Sequence, residues 1–191
     1  MIKHILLSII SFQLALLSSA QHDFAKLVNP FIGTGGHGHT FPGPVVPFGM
    51  VQVGPDTRVD GSWDGCSGYH FDDTTLYGFS HTHLSGTGCS DFGDIMLMPV
   101  KSDKPVWDAK TYSSKFDKAS EKANVGYYAV KVHNDINVEL TSSARVGFHQ
   151  YTFEEEGDYQ IVLDLFHRDK LLEGTITKVG NNAIKGYRRS E

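Results

Sequence analysis

Along the second half of the chain, apolar and polar residues alternate with the two-residue period of a β-strand. From Tyr127 to His133, the side chains of Tyr128, Val130 and Val132 fall on one face and those of Lys131 and His133 on the other. Ile136, Val138 and Leu140 repeat the pattern against Asn137, Glu139 and Thr141. Arg145 to Phe153 and Tyr159 to Phe166 read as two more strands flanking the acidic turn Glu154 to Asp158. Residues 174–179 and 181–188 read as the arms of a hairpin. The connectors are short and polar, whereas parallel pairing would need crossover helices, so the pattern predicts an all-β fold, an antiparallel sheet or sandwich. The one short helical piece is predicted between Ser113 and Asn124. A strand at the end of the chain leaves an edge that proteins normally cover, so the sheet is expected to be incomplete at Glu191 and to continue beyond it.

Upstream, from Val28 to Pro99, the alternation gives way to VNPFIGTGGHGHTFPGPVVPFGMVQVGPDT, GSWDGCSGYHF and LYGFSHTHLSGTGCSDFGDIMLMP. Glycine and proline interrupt any long helix here, and aromatics, histidines and aspartates crowd between them, a composition suited to loops that hold a polar ligand. Gly33 to Gly38 satisfies the spacing of a dinucleotide fingerprint, but Pro30 precedes it, and Pro42, Pro44 and Pro47 preclude the helix that must follow. No phosphate-loop or serine-nucleophile motif is present.

The start of the chain changes the compartment. Lys3 and His4 precede an apolar run, Ile5 to Leu17, and the small residues Ser18-Ser19-Ala20, the three parts of a secretory signal. Cleavage is expected after Ala20, leaving one domain over residues 21–191. The run is too short to span a bilayer, and no cysteine follows the cleavage point to carry a lipid. These features predict a soluble periplasmic or secreted protein with no membrane attachment after cleavage. The mature chain keeps 16 basic against 22 acidic residues, a net charge of −6 that offers nucleic acid no basic surface. In an oxidising compartment Cys66 and Cys89 are open to two readings, one disulfide or two buried thiols.

Within the loop region, Trp63 stands in Gly61-Ser62-Trp63-Asp64-Gly65, a segment too rich in turn residues for a core strand. Its indole is expected at a cleft wall, where a flat aromatic face packs on the C–H face of a pyranose. Asp64 and Asp56 would accept hydrogen bonds from sugar hydroxyls, and Arg58 would donate them. The structural alternative is that Trp63 plugs a loop onto the sheet and Asp56 pairs with Arg58. Trp107, after Lys104-Pro105-Val106, reads as a packing anchor on a connector. His37 and His39, like His81 and His83, are spaced so that alternate side chains share a face, as a zinc site can use. Histidines among glycine and serine also serve as hydrogen-bonding groups to sugars or carbonyls.

The segments NPFIGTGGHGHTFPGPVVPFGMVQVGPDT and GFSHTHLSGTGCSDFGDIMLMP resemble the N-terminal domain of glycoside hydrolase family 92, the calcium-dependent exo-acting α-mannosidases, and the resemblance runs from Val28 to the end of the chain. It implies a β-sandwich of the galactose-mutarotase-like type, followed in full-length members by an (α/α)6-barrel domain of the same protein. It further implies an inverting mechanism with a carboxylic acid and a carboxylate on opposite faces of the sugar. Ca2+ would grip the mannose hydroxyls. Those carboxylates and most calcium ligands belong to the barrel, so no catalytic residue and no metal ligand is assigned in this chain. Carried onto this sequence, the family pattern makes Trp63 the residue that packs on the leaving-group sugar of a mannose-containing oligosaccharide. Asp56, Arg58, Asp64, His81 and His83 are implied contacts around the terminal mannose. Two other readings stand beside it: a stand-alone carbohydrate-binding module using Trp63 and Asp64, and a periplasmic zinc-binding protein built on His37, His39, His81 and His83.

Overall fold

A computed structural model describes residues 23–191, so the signal segment expected over residues 1–20 lies outside the described residues. The alternating segments form strands as predicted: β7 (Tyr127–Val132), β8 (Ile136–Ser142), β9 (Gly147–Phe153) and β10 (Tyr159–Asp164). Tyr128, Val130 and Val132 are buried together with Ile136, Val138 and Leu140, and the register sets Tyr128 opposite Leu140 and Val130 opposite Val138. The hairpin arms are β11 (Leu171–Val179) and β12 (Ala183–Ser190), paired with one register shift between Leu171 and Glu173.

The glycine-rich half is less irregular than its composition suggests. It contributes β1 (Gly54–Asp56), β2 (Thr75–Leu76), β3 (Gly78–Ser80) and β4 (Met96–Lys101), and two short strands follow, β5 (Ser114–Lys115) and β6 (Lys122–Asn124). All pairings are antiparallel. The strands form two four-stranded sheets, β1-β3-β4-β10 and β6-β7-β8-β9, and two pairs, β2-β5 and β11-β12. Phe79, Met96, Met98 and Val100 of the first sheet enter one buried cluster with the inward residues of β7 and β8 of the second. The chain reaches the first sheet again through β10, which runs beside β4 with Val162 opposite Met98.

Helix is scarce, and its position differs from expectation. The α-helix α1 (Ala109–Tyr112) precedes the predicted stretch, whose one helical piece is a 3-10 turn at Lys118–Ser120 between β5 and β6. Both begin at an aspartate whose side chain accepts a backbone N–H, Asp108 from Lys110 and Asp117 from Ala119. A single capped turn is fixed by this local bond and carries no apolar period to read. Trp107 does not anchor the connector: it is 87% exposed, while its neighbour Val106 packs against the core.

Buried polar groups tie the loop half to the second sheet. Glu121 accepts hydrogen bonds from the hydroxyls of Tyr69, on a loop, and Tyr128, on β7, and pairs with Lys118 at 3.0 Å. Each of these buried tyrosines thus reaches a partner for its hydroxyl, which removes the cost of stranding it in the core.

Candidate functional site

Loops 31–41, 58–70 and 82–95 meet at the end of the first sheet, and Trp63 stands where they join. The residue is 63% exposed. Its ring stands edge-to-face with that of His39, at a centroid separation of 4.9 Å and an interplanar angle of 84°. The indole lies so close over Gly88 that a Cβ there would come within 2.3 Å of Cη2, so only glycine leaves room for it. Local bonds set the loop that carries it. Asp60 accepts the Ser62 amide at 3.1 Å, the Cys66 amide donates to the Trp63 carbonyl at 3.2 Å, and Arg58 Nη1 donates to the Asp64 carbonyl at 2.8 Å.

Asp64 and His37 complete the exposed group. Asp64 Oδ1 lies 2.8 Å from His37 Nδ1, and this contact holds the carboxyl below the usual aspartate range. A flat aromatic face beside a carboxylate and two imidazoles can hold the apolar face of a polyol ring and bond its hydroxyls.

The other predicted residues lie behind this surface. Arg58 grips Asp73 through Nε at 3.0 Å and Nη2 at 3.1 Å, so its guanidinium fork is engaged within the loops and its pKa is raised by that bond. Asp73, not Asp56, is its partner. Asp56 is fully buried, where Oδ2 accepts the Ser80 amide at 2.7 Å and Oδ1 accepts the Ser80 hydroxyl at 3.0 Å. Its Oδ1 also lies 3.2 Å from His83 Nε2. Burial alone would raise the Asp56 carboxyl, but the charge and hydrogen bond of His83 outweigh it, and the group sits below its ordinary value. His83 stacks on Phe41 at 4.5 Å and bonds the Gln52 carbonyl through Nδ1 at 2.8 Å. Asp56 and His83 therefore form a buried pair that ties β1 to the segment after β3, with no open surface for a ligand.

His81 turns toward the second sheet instead. Its Nδ1 lies 2.6 Å from the Ile95 carbonyl, its Nε2 3.1 Å from Nε2 of His149, and His149 Nδ1 lies 2.9 Å from the Tyr151 hydroxyl. With both rings neutral, as burial favours, one proton order satisfies this chain: Tyr151 donates to His149, His149 to His81, and His81 to the Ile95 carbonyl. Burial lowers the His81 pKa, and burial together with His81 pushes that of His149 down to about 3.

The zinc arrangement does not form. His37 pairs with Asp64, His39 with Trp63, His81 with His149 and His83 with Asp56. Among the described residues, no group of three or more His, Cys, Asp or Glu side chains could hold a metal ion. The disulfide does not form either: Cys66 is a buried thiol donating to the Thr87 carbonyl at 2.9 Å, and Cys89 is an exposed one. Burial raises the Cys66 pKa.

Sequence reasoning weighed His37 and His39 as zinc ligands and as hydrogen-bonding groups without naming them among the sugar contacts, whereas the fold sets both beside Trp63 and Asp64. The loops are also held under strain at positions the sequence does not flag. Phe92 and Ile95 have φ of 72° and 58°, left-handed values that cost an L-residue about 1–2 kcal/mol each. Bonds from the Gly93 amide to the Thr82 carbonyl at 2.8 Å and from the Asp94 amide to the Thr82 hydroxyl at 2.9 Å keep that segment in place.

Comparison with known proteins adds an independent line. Residues 27–191 match the glycosyl hydrolase family 92 N-terminal domain. A curated relative from Arthroderma benhamiae, named an uncharacterized secreted glycosidase, is 33% identical over 154 residues, which are 74% of this chain and 19% of that protein. A family GH92 alpha-mannosidase from Bacteroides thetaiotaomicron superposes with a TM-score of 0.78 at 34% identity, covering 87% of this chain and 24% of its own. It has also been solved in complex with mannoimidazole. A family GH92 inverting mannosidase from the same species gives 0.72 at 26% identity, over 91% of this chain and 24% of that one. The chain thus spans about a fifth to a quarter of the length of these relatives.

Proposed function

The chain belongs to glycosyl hydrolase family 92, as its N-terminal domain, and on that premise we propose that it forms one wall of the substrate cleft of an exported, inverting exo-α-mannosidase. The observation that carries the proposal is Trp63, held open between His39 and Gly88 with Asp64 and His37 beside it. Its substrate is α-1,2-linked mannose of N-glycans or mannan, with the indole against the leaving-group sugar and Asp64 bonding its hydroxyls. Arg58, Asp56 and His83 act from behind, by holding the loops.

Two four-stranded sheets that share one buried cluster support a sandwich of the galactose-mutarotase-like type over residues 21–191, after a signal segment at 1–20. The name of the Arthroderma relative supports export to the periplasm or medium. The acid and base of the reaction, and the oxygen ligands of a calcium ion that would grip the mannose, come from the barrel domain of the longer protein. This chain alone binds α-mannosides weakly and turns none over.

The test is hydrolysis of α-1,2-mannobiose by the longer protein and by this chain, each with calcium and with chelator. The account predicts calcium-dependent turnover by the longer protein only. Turnover by the chain alone, or none by the longer protein on any α-mannoside, would overturn it.

A further inference from the structure

Arg168 is a buried cation that the proposed site leaves unexplained. It follows β10 and is 3% exposed, yet its hydrogen bonds go to uncharged loop groups. Nη2 donates to the Cys66 carbonyl and, at 2.9 Å, to the Ser90 hydroxyl, which Nε also reaches at 3.2 Å. Nη1 is buried with no hydrogen-bond partner among the described residues. Backbone closes around the side chain: a Cβ at Gly68 would stand 2.8 Å from Nη1, and one at Gly93 2.8 Å from Cδ. Arg188, from β12, braces this arrangement by donating to the carbonyls of Leu165, at 2.7 Å, and of Arg168, and to the Asp94 carboxylate.

The two groups that Arg168 holds belong to the two loop segments that meet at Trp63. Cys66 closes the turn whose carbonyl belongs to Trp63, and its thiol bonds the Thr87 carbonyl, next to the glycine under the indole. Ser90 ends the segment that carries Gly88. One guanidinium thus fixes the spacing of the Trp63 turn and of the backbone on which the ring rests. Its hydrogen bonds go to neutral groups, and the nearby carboxylates, Asp56 across Gly68 and Asp169, act on it without a hydrogen bond, so these contacts offset poorly the desolvation penalty of burying a cation. Departures from local rules of this kind are expected where geometry serves a site.

We propose that Arg168 is a positioning residue for sugar binding: it clamps the loops at Cys66 and Ser90 and so fixes the Trp63 face, without touching the ligand. The inference rests on Trp63 being the ligand wall. Lysine keeps the charge but lacks the planar fork that sets Nη2 between both loop groups and adds the Nε contact to Ser90, so Arg168→Lys separates charge from fork geometry. Ser90→Ala removes one contact and leaves the cation in place.

The experiment measures kcat and KM on α-1,2-mannobiose in the longer protein for Arg168→Lys, Ser90→Ala and Trp63→Ala. Acrylamide quenching is measured in this chain carrying Trp107→Phe, where Trp63 is the one remaining tryptophan. Arg168→Lys is expected to raise KM roughly three- to tenfold with kcat within about twofold, and to make Trp63 more quenchable. Ser90→Ala is expected to move both readouts the same way by less. A lower melting temperature with unchanged KM and quenching would mean a merely structural role and would overturn the proposal. If Arg168→Lys does not fold, Ser90→Ala decides: an unchanged KM, while Trp63→Ala raises it, overturns the proposal alone. An unchanged KM in Trp63→Ala overturns the reading of the site, and the positioning role with it.

Discussion

At the scale of single residues, Trp63 and Asp56 show what composition can and cannot convey. Trp63 was legible because its neighbours Gly61, Ser62, Asp64 and Gly65 rule out a core strand, and the indole is indeed largely exposed. Asp56 lies in an equally turn-like Gly-Pro-Asp-Thr run, but it ends strand β1 and is fully buried. A three-residue strand has no alternation to reveal which way a side chain points. Because it satisfies Ser80 twice and faces His83, Asp56→Ala should cost about 3–5 kcal/mol in chemical denaturation, the range for breaking a buried charged pair. Its folded pKa lies below the unfolded value of about 3.9, so that stabilisation is full above this pH and is lost as pH falls through the folded value. Denaturation midpoints of Asp56→Ala and wild type should converge in strong acid and stay apart at neutral pH. The cysteines give a separate check. Thiol titration of the folded chain should find Cys89 reacting fast and Cys66 only on unfolding, whereas a chain with no titratable thiol would restore the disulfide.

At the scale of elements, β7 to β12 were legible to within a few residues because each is long enough to show its period or its turns. The strands β1 to β4 were not, since glycine and proline mask them and two to six residues give little pattern. The link between His81, just after β3, and His149, on β9, was out of reach for another reason: it joins residues 68 apart through a proton order that only the folded sheets create. Both rings are held neutral in the fold, whereas an unfolded histidine titrates near 6.5. The unfolded chain therefore binds more protons over the interval from about 6.5 down to about 3, the folded value of His149. Stability should fall as pH drops through that interval and be insensitive to this pair above it. His149→Phe should flatten this acid slope in urea titrations across pH, and an unchanged slope would show that the pair does not couple the sheets to protonation.

At the scale of the whole molecule, the chain matches one family domain along its described length and about a quarter of the solved mannosidases. Apolar side chains stay exposed, among them Phe148 of β9, Ile176 of β11 and Ile184 of β12, and such surface is what the proposed barrel domain would cover. The family was legible from the order of unusual loop segments, while the division of labour within the site was not. The fold sorts the candidates into an exposed or half-exposed group, Trp63, Asp64, His37 and His39, and a frame behind it, the buried Asp56, His83 and Arg168 and the half-buried Arg58. The most direct test of that division is the kcat and KM of Trp63→Ala on α-1,2-mannobiose in the longer protein. The account predicts that kcat/KM falls about tenfold or more, the loss expected when an aromatic contact to the substrate is removed. A value within twofold of wild type would show that Trp63 is no part of the sugar's wall.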